Sequence, residues 1–415
     1  MSKFKNLFFP FVIFVLVVIL FITNYSPNTY LTGWDNLHPE FNFSLNIKRS
    51  LSAVWQEYQG LGLLGGMAHS ADLPRQVILA GLPSLMPVSF LRYFWTFLML
   101  LIGPLGVYFL VANLLDSGSS PLRVSPEAKT SRSASAICAF ASSVFYLFNL
   151  VTVQYFFVPF ETFTTFYGFL PWFFYFASRY LKTGKGLLFY ALTLLIGSTA
   201  FYVQTLFVVY FILLLIFGLF FKFKNFLKLI LVTLAISSFW LLPATYFTLT
   251  NGDVPTNSKI NSIATPETKY MNQARSDFES IATLKGYWFD YYDWNSNENK
   301  FDYLYKDWID YVSGDYVRVV GISLFAISIL GLLFSRQLPL ILMFLVSIIM
   351  LSGIDIKLPI LSEAFRNAFT KWSVALAFVM SLGLGFFVTK FKKFAILPAL
   401  LIIGGSLFTV WPVFN

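Results

Sequence analysis

The chain has 415 residues, of which 57% are hydrophobic and only 12% are charged, a composition that excludes an ordinary soluble enzyme. Apolar stretches of nearly bilayer-crossing length recur from end to end, which predicts an all-α polytopic membrane protein. A single cysteine, Cys138, and two histidines exclude a disulfide framework and a zinc site built from these residues alone.

About eleven transmembrane helices fit these stretches. They are predicted at about 7–24, 92–115, 134–156, 163–181, 187–202, 203–221, 226–247, 317–334, 338–353, 372–389 and 394–412. With a cytoplasmic N-terminus, the predicted cytoplasmic side carries fifteen basic and two acidic residues. This positive-inside pattern accounts for the formal net charge of +9, so the basicity indicates orientation in the plasma membrane rather than nucleic-acid binding.

We predict a single transmembrane domain over residues 1–415, with surface-lying helices and most of its polarity in three outer loops at 25–91, 248–316 and 354–371. The predicted outer C-terminus is compatible with a further extracytoplasmic domain beyond it. An alternative function is a transporter or flippase for a lipid-linked or polar substrate. The near absence of ionisable residues from the span centres, and of an internal repeat, weakens that alternative.

The first outer loop begins with GWDNLHPEF, which places Asp35 shortly after the first span. Pro39 suits the first turn of a helix capped by Asn36 or His38, and apolar spacing over 41–58 predicts an amphipathic surface helix. A carboxylate at this junction suits a general base acting on an acceptor hydroxyl, or a ligand of a divalent ion. The alternative is an ordinary capping or loop residue.

The same loop continues as GLGLLGGMAHSADLPRQ, which brings His69 and Arg75 after four glycines. Arg75 suits contact with a lipid phosphate, although an ordinary headgroup contact is the alternative. The following VILAGLPSLMPVSF is interrupted by two prolines, which predicts a surface-lying or re-entrant helix rather than a span.

Two cations, Arg366 and Lys371 of EAFRNAFTKW, are predicted at the outer start of the tenth span. They suit the phosphate of a lipid-linked substrate, and the alternative is that they anchor a helix end. Aromatic residues over 286–311, among them Trp288, suit stacking on sugar rings or an interfacial belt. Glu161 lies on a short outer turn, where it lines the same cavity or only marks the turn.

By these features the chain resembles the GT-C superfamily of membrane glycosyltransferases, in particular a bacterial branch that includes arabinofuranosyltransferase-like proteins. The resemblance covers the whole chain as topology and residues 33–75 and 363–372 as motif. It implies transfer of a sugar from a polyprenyl-phosphate donor to an extracytoplasmic glycan, lipid or protein acceptor. Many members have an acidic-x-acidic pattern, but residue 37 here is Leu, so a base that needs no metal is favoured over a divalent ion.

The resemblance implies that Asp35 is catalytic, with Glu40 as a second carboxylate, and that Arg366, Lys371 and Arg75 bind the lipid phosphate. The remaining candidates for contact with the sugar or acceptor are His38, His69, Glu161 and Trp288. The sequence requires no cofactor. A third interpretation is a non-catalytic assembly subunit of the membrane.

Overall fold

The computed structural model describes residues 7–32, 40–52, 55–56, 63–64, 68–116, 132–251, 270–271, 273–295, 298–353, 365 and 367–414. Within these ranges the chain forms sixteen α-helices, several short 3-10 turns and two small hairpins. The predicted all-α class agrees with this architecture.

The helices are α1 (Phe8–Asn24), α2 (Phe43–Leu51), α3 (Leu73–Ala80), α4 (Val88–Asp116), α5 (Arg132–Leu147), α6 (Leu150–Phe157), α7 (Glu161–Thr183), α8 (Leu187–Ile196), α9 (Gln204–Gly218), α10 (Phe223–Asn251), α11 (Phe278–Thr283), α12 (Lys306–Val312), α13 (Asp315–Ser335), α14 (Leu338–Leu351), α15 (Phe369–Thr389) and α16 (Ile396–Thr409). The antiparallel hairpins pair β1 (Trp55–Gln56) with β2 (Leu63–Leu64), and β3 (Tyr292–Asn295) with β4 (Lys300–Tyr303).

Five helices of the described chain are long and apolar enough to cross a membrane, and a bent pair, α5 with α6, makes a sixth if it counts as one span. The five are α4, α10, α13, α15 and the segment Lys392–Thr409 that contains α16. Shorter apolar helices, including α1, α9 and α14, coincide with other predicted spans. These helices are compatible with a multi-pass membrane protein, and the number of eleven spans stays a prediction.

The bend of 47° between α5 and α6 is centred on Asn149. Its side-chain amide donates to the carbonyl oxygens of Phe145 and Tyr146, at 3.0 and 2.9 Å. Its side-chain oxygen accepts the N–H groups of Val151 and Thr152, at 2.9 and 3.1 Å. One buried side chain therefore satisfies backbone groups on both sides of the break, which stabilises a bend where the sequence predicted one straight span.

The predicted surface helix of the first outer loop is present but shorter than expected. It begins at Phe43, because the side chain of Asn42 caps it by accepting the N–H of Leu45 at 3.0 Å. It ends at Leu51, and Trp55 already lies in a strand, so the prediction of a helix over 41–58 is wrong in its extent. The cap is Asn42, and the predicted caps Asn36 and His38 lie outside the described residues.

The chain that the sequence presents as one domain divides into two compact units. The first unit comprises residues 1–16, 107–157 and 264–415, and the second comprises residues 17–106 and 158–263. The centre of the first unit is α15, whose apolar window is 94% buried and which packs against α5, α13 and α14. A helix that is apolar on all sides is expected in such a central position.

Close approach of backbones holds α13 and α15 together. A Cβ added at Gly331 of α13 would overlap the carbonyl oxygen of Gly383 of α15, and one added at Gly385 would overlap the hydroxyl of Ser142 of α5. Helices in a membrane associate through such close packing, because lipid provides no hydrophobic force between them. The small residues of α15 therefore determine how tightly its neighbours pack.

The core of the second unit is mostly aromatic. Phe173 of α7 contacts the rings of Phe201 and Tyr210, with centroids 5.7 and 5.0 Å apart. The hydroxyl of Tyr190 lies 2.5 Å from that of Tyr210 and 2.6 Å from that of Thr233, so these buried polar groups satisfy one another.

We expect Gly331→Ala to lower the melting temperature of the detergent-purified protein strongly. The added methyl group meets the backbone of Gly383, which cannot rotate away, and overpacking of this kind costs about 1–3 kcal/mol. Gly404→Ala on α16 is the matched control, since nothing lies within 4 Å of the added carbon and its melting temperature should not fall. Equal melting temperatures for the two variants, measured by tryptophan fluorescence, would contradict this packing.

Candidate functional site

A buried group of charged side chains lies in the second unit, around Arg75 of α3. The Arg75 side chain is 0% exposed and holds Asp72 in a bidentate contact, with Nε–Oδ1 and Nη2–Oδ2 distances of 2.7 and 2.9 Å. Its Nη1 donates to Oε1 of Glu40 at 2.9 Å. Gln76 donates to Asp72 at 2.7 Å and accepts from Asn46 of α2 at 3.1 Å. These contacts fasten Glu40 and α2 to α3.

Arg92, near the start of α4, extends this network to α7. Its Nη2 lies 2.9 Å from Oε2 of Glu40 and 3.0 Å from Oε1 of Glu161, the first residue of α7. The three side chains are at most 8% exposed. We name Glu40, Asp72, Arg75, Arg92 and Glu161 the ion cluster; its carboxylates and guanidinium groups alternate along one chain of contacts.

The charge on Arg75 depends on this cluster. Burial alone would lower the pKa of the guanidinium, but Asp72, and to a smaller extent Glu161 and Glu40, outweigh burial and raise that pKa above its ordinary value. Arg75 therefore stays protonated at every physiological pH. All three of its nitrogens already donate to carboxylates, so its geometry favours an internal anchor over the predicted contact with a lipid phosphate.

The residues before and after the segment of Asp35 contact the same part of α4. The hydroxyl of Thr29 lies 2.9 Å from that of Tyr93, the residue after Arg92. The rings of Tyr30 and Phe41 meet edge to face, with centroids 5.0 Å apart. The described residues on either side of 33–39 are thus fixed to each other. Asp35 and His38 themselves lie outside the described residues.

The contacts of Glu40 favour a structural role over the predicted catalytic one. Its two carboxylate oxygens are in ion pairs with different arginines, and the residue is only 6% exposed. Glu161, predicted to line a substrate cavity or mark a turn, is 2% exposed and belongs to the same cluster. Both carboxylates therefore tie elements of the second unit together.

His69 is also in the second unit, in a buried 3-10 turn at His69–Asp72. Its Nδ1 lies 3.2 Å from the hydroxyl of Tyr202, and the two rings meet at 90°. The turn is fastened on both sides, because Ser70 donates to the carbonyl of Ser50 and Ser198 donates to that of Ala71. His69 is 6% exposed, so its contacts are those of a packed residue.

The first unit contains Trp288 and Lys371. Trp288 is 6% exposed, and its ring centroid lies 5.6 Å from that of Tyr155 and 6.5 Å from that of Phe369, so it packs inside the unit. Lys371 lies in the first turn of α15, half-buried, with its Nζ 3.2 Å from the hydroxyl of Thr370. Arg366 lies outside the described residues.

The aromatic residues predicted to meet sugar rings are divided between this core and a surface. On the β3–β4 hairpin, Trp294 pairs with Phe301 and Tyr292 with Tyr303, and they lie on one face of the two strands. Tyr292, Trp294 and Phe301 are between 49% and 69% exposed, unlike Trp288. Within the predicted aromatic segment, the hairpin therefore carries exposed rings, whereas Trp288 is buried.

Among the described residues, no group of three or more His, Cys, Asp or Glu side chains is arranged to hold a metal ion. The carboxylates of the ion cluster face arginines, and Asp35 lies outside the described residues. Sequence reasoning missed Arg92 entirely. Its only sequence signal was a positive charge at the polar start of an apolar helix.

Comparison with known proteins adds no assignment, since no family model, curated protein or solved structure matches the chain.

We expect Arg75→Met to destabilise the protein by about 3–5 kcal/mol, because it leaves the buried carboxylates of Asp72 and Glu40 without their partner. Arg318→Met is the control, since Arg318 is 45% exposed and its ion pair with Asp315 should contribute about 0–1 kcal/mol. Chemical unfolding of both variants in the same detergent measures the difference. Similar losses would show that the ion cluster is not a structural anchor.

Proposed function

We propose that the protein is a membrane glycosyltransferase that moves a sugar from a polyprenyl-phosphate donor to an extracytoplasmic glycan, lipid or protein acceptor. The observation that carries the proposal is the ion cluster, which fastens Glu40, five residues after Asp35, to α3 and α4. Five buried charged side chains in a chain this apolar are costly. We infer that these buried charges are retained because they fix one arrangement of the elements beside the segment of Asp35.

The function of such an anchor is positional. A catalytic carboxylate must be held close to its productive geometry by residues whose own side chains are locked. Glu40 is locked by two arginines, while Thr29 and Tyr30 fix the other side of the same segment. We therefore assign Glu40 and Arg75 to positioning, and leave the acid-base chemistry to Asp35.

In the proposed reaction, the Asp35 carboxylate takes the proton of an acceptor hydroxyl while that oxygen attacks the anomeric carbon of the donor sugar. The bond between the anomeric carbon and the phosphate oxygen breaks, and the electron pair leaves with the lipid phosphate. The assignment of this phosphate to Arg366 and Lys371, two cations suited to a charged leaving group, stays a prediction from the sequence. The step needs no oxidant, and a single carboxylate suffices because residue 37 is Leu.

We expect Asp35→Asn to reduce sugar transfer by about 10²–10⁴-fold, because the amide cannot accept the proton of the acceptor hydroxyl. The assay supplies a short-chain polyprenyl-phosphate sugar and membrane acceptors to the purified protein. Asp310→Asn, an exposed acidic residue on α12, is the control and should keep full activity. Undiminished transfer by Asp35→Asn would remove Asp35 from the reaction, and donor flipping without transfer would favour a flippase instead.

We expect Arg366→Ala and Lys371→Ala to raise the KM for the lipid-phosphate donor at least tenfold, because each removes a charge-assisted hydrogen bond to the phosphate. Lys306→Ala is the control, since the Lys306 ammonium, at the start of α12, pairs with Asp302 of β4 at 2.8 Å. The KM for the acceptor should stay near the wild-type value. A change confined to the acceptor would contradict the phosphate role of these cations.

A further inference from the structure

An apolar cavity of about 460 Å³ lies in the first unit, between α11, α13 and α14. Its walls are Phe325, Leu332 and Leu333 of α13 and Phe344, Leu345 and Ile348 of α14, among other apolar residues. This volume is within the range of ligand pockets, and Leu333 and Leu345 are 53% and 46% exposed, so the cavity is an open groove. The cavity borders a helix long and apolar enough to span a membrane, α13.

The cavity is elongated along α14. Its lining extends from Ile341 to Ser352, twelve residues whose eleven steps correspond to about 16 Å of helix. This length is roughly half of the hydrocarbon thickness of a bilayer. A long, apolar space of this kind fits one extended hydrocarbon chain better than a compact ligand.

One end of the cavity is polar. The polar lining residues are Ser276, just before α11, and Ser352, which follows the last turn of α14. Ser276 also lines a second, smaller cavity of about 20 Å³, together with Arg275 and Tyr287. That space is enough for a single water molecule or one ligand oxygen. The two cavities therefore share a wall at the point where the apolar lining ends.

Arg275 provides the charge at this polar end. Its Nε and Nη2 both contact one oxygen of Asp290, whose side chain is 40% exposed. A guanidinium group has five N–H donors in a planar fork. Asp290 thus orients the Arg275 side chain beside the smaller cavity, where its positive charge is complementary to an anionic headgroup.

We propose that these two cavities form one binding site for a single-chain lipid phosphate, with the chain along α14 and a phosphate oxygen beside Arg275. The apolar lining, about 16 Å long, matches one extended chain, and the guanidinium favours a phosphate over an alcohol. The site deepens the proposed function, on which its assignment to the donor rests, because a polyprenyl phosphate belongs to this chemical class. The smaller cavity is also lined by Ala368 and Phe369, just before Lys371, so Arg275 adds to the cations proposed for the donor phosphate.

The test uses the full chain in detergent and a photoreactive geranylgeranyl phosphate as the probe, without acceptor or turnover. We expect crosslinks on α13 and α14, displaced by geranylgeranyl phosphate at least tenfold better than by geranylgeraniol or by two-chain phosphatidic acid. Crosslinks elsewhere, or equal displacement by phosphatidic acid, would overturn the proposal.

Cavity-filling variants give the matched comparison. Leu345→Trp occupies the cavity and should reduce crosslinking about tenfold, whereas Ile349→Trp, one turn further along α14 and similarly exposed, should not. Leu333→Trp blocks the same space from α13 and gives a second, independent variant. Equal crosslinking in all three would contradict the site.

The headgroup end is tested with Arg275→Gln, which should weaken displacement by geranylgeranyl phosphate about tenfold and leave that by geranylgeraniol unchanged. Because binding is measured without sugar transfer, the two proposals fail separately. If Asp35→Asn keeps full transfer while crosslinking follows these expectations, the lipid site stands and the catalytic assignment fails. If Leu345→Trp and Arg275→Gln bind normally while transfer depends on Asp35, only the lipid site fails.

Discussion

The buried contacts of Arg75 with Asp72 and Glu40 are the interaction on which the second unit depends most. Removing a charge from water costs several kcal/mol, and attraction between buried partners compensates only where geometry and hydrogen bonds are nearly complete. Here the three guanidinium nitrogens all donate to carboxylate oxygens, at 2.7 to 2.9 Å. Loss of one partner leaves the other charge buried without compensation, so each contact depends on the others.

Different interactions stabilise the two units. In the first, glycines at the contact of α13 and α15 bring backbones together, so that many weak dispersion contacts form over a long interface. In the second, charges are fixed between short helices and loops, and aromatic rings fill the space around them. Polar contacts suit that unit because α2 and α3 are too short and too polar to be held by apolar packing alone.

The sequence predicted the helices well, because apolar length is a local property and each long stretch forms a helix. It did not predict the bend at Asn149, since the stretch around it is apolar throughout and the bend depends on one amide. The sequence also did not predict the ion cluster. Glu40 and Arg75 are 35 residues apart, and no spacing rule relates them to Arg92 or Glu161. The sequence identifies Glu40, Arg75 and Glu161 as candidate residues, but their pairing depends on the tertiary structure.

The ion pairs of Glu40 with Arg75 and Arg92 limit which carboxylates the proposed sugar transfer can use. Both carboxylate oxygens of Glu40 are in ion pairs with arginines and the residue is 6% exposed, so its geometry favours a positioning role over the predicted catalytic one. Leu37 leaves Asp35 as the only acid in the segment that precedes Glu40. A mechanism based on two catalytic acids in this loop is therefore disfavoured by the structure around Glu40 and by the sequence at position 37. The proposed mechanism therefore uses one base, Asp35, in a segment whose flanking residues contact Tyr93 and Arg92, adjacent residues of one helix.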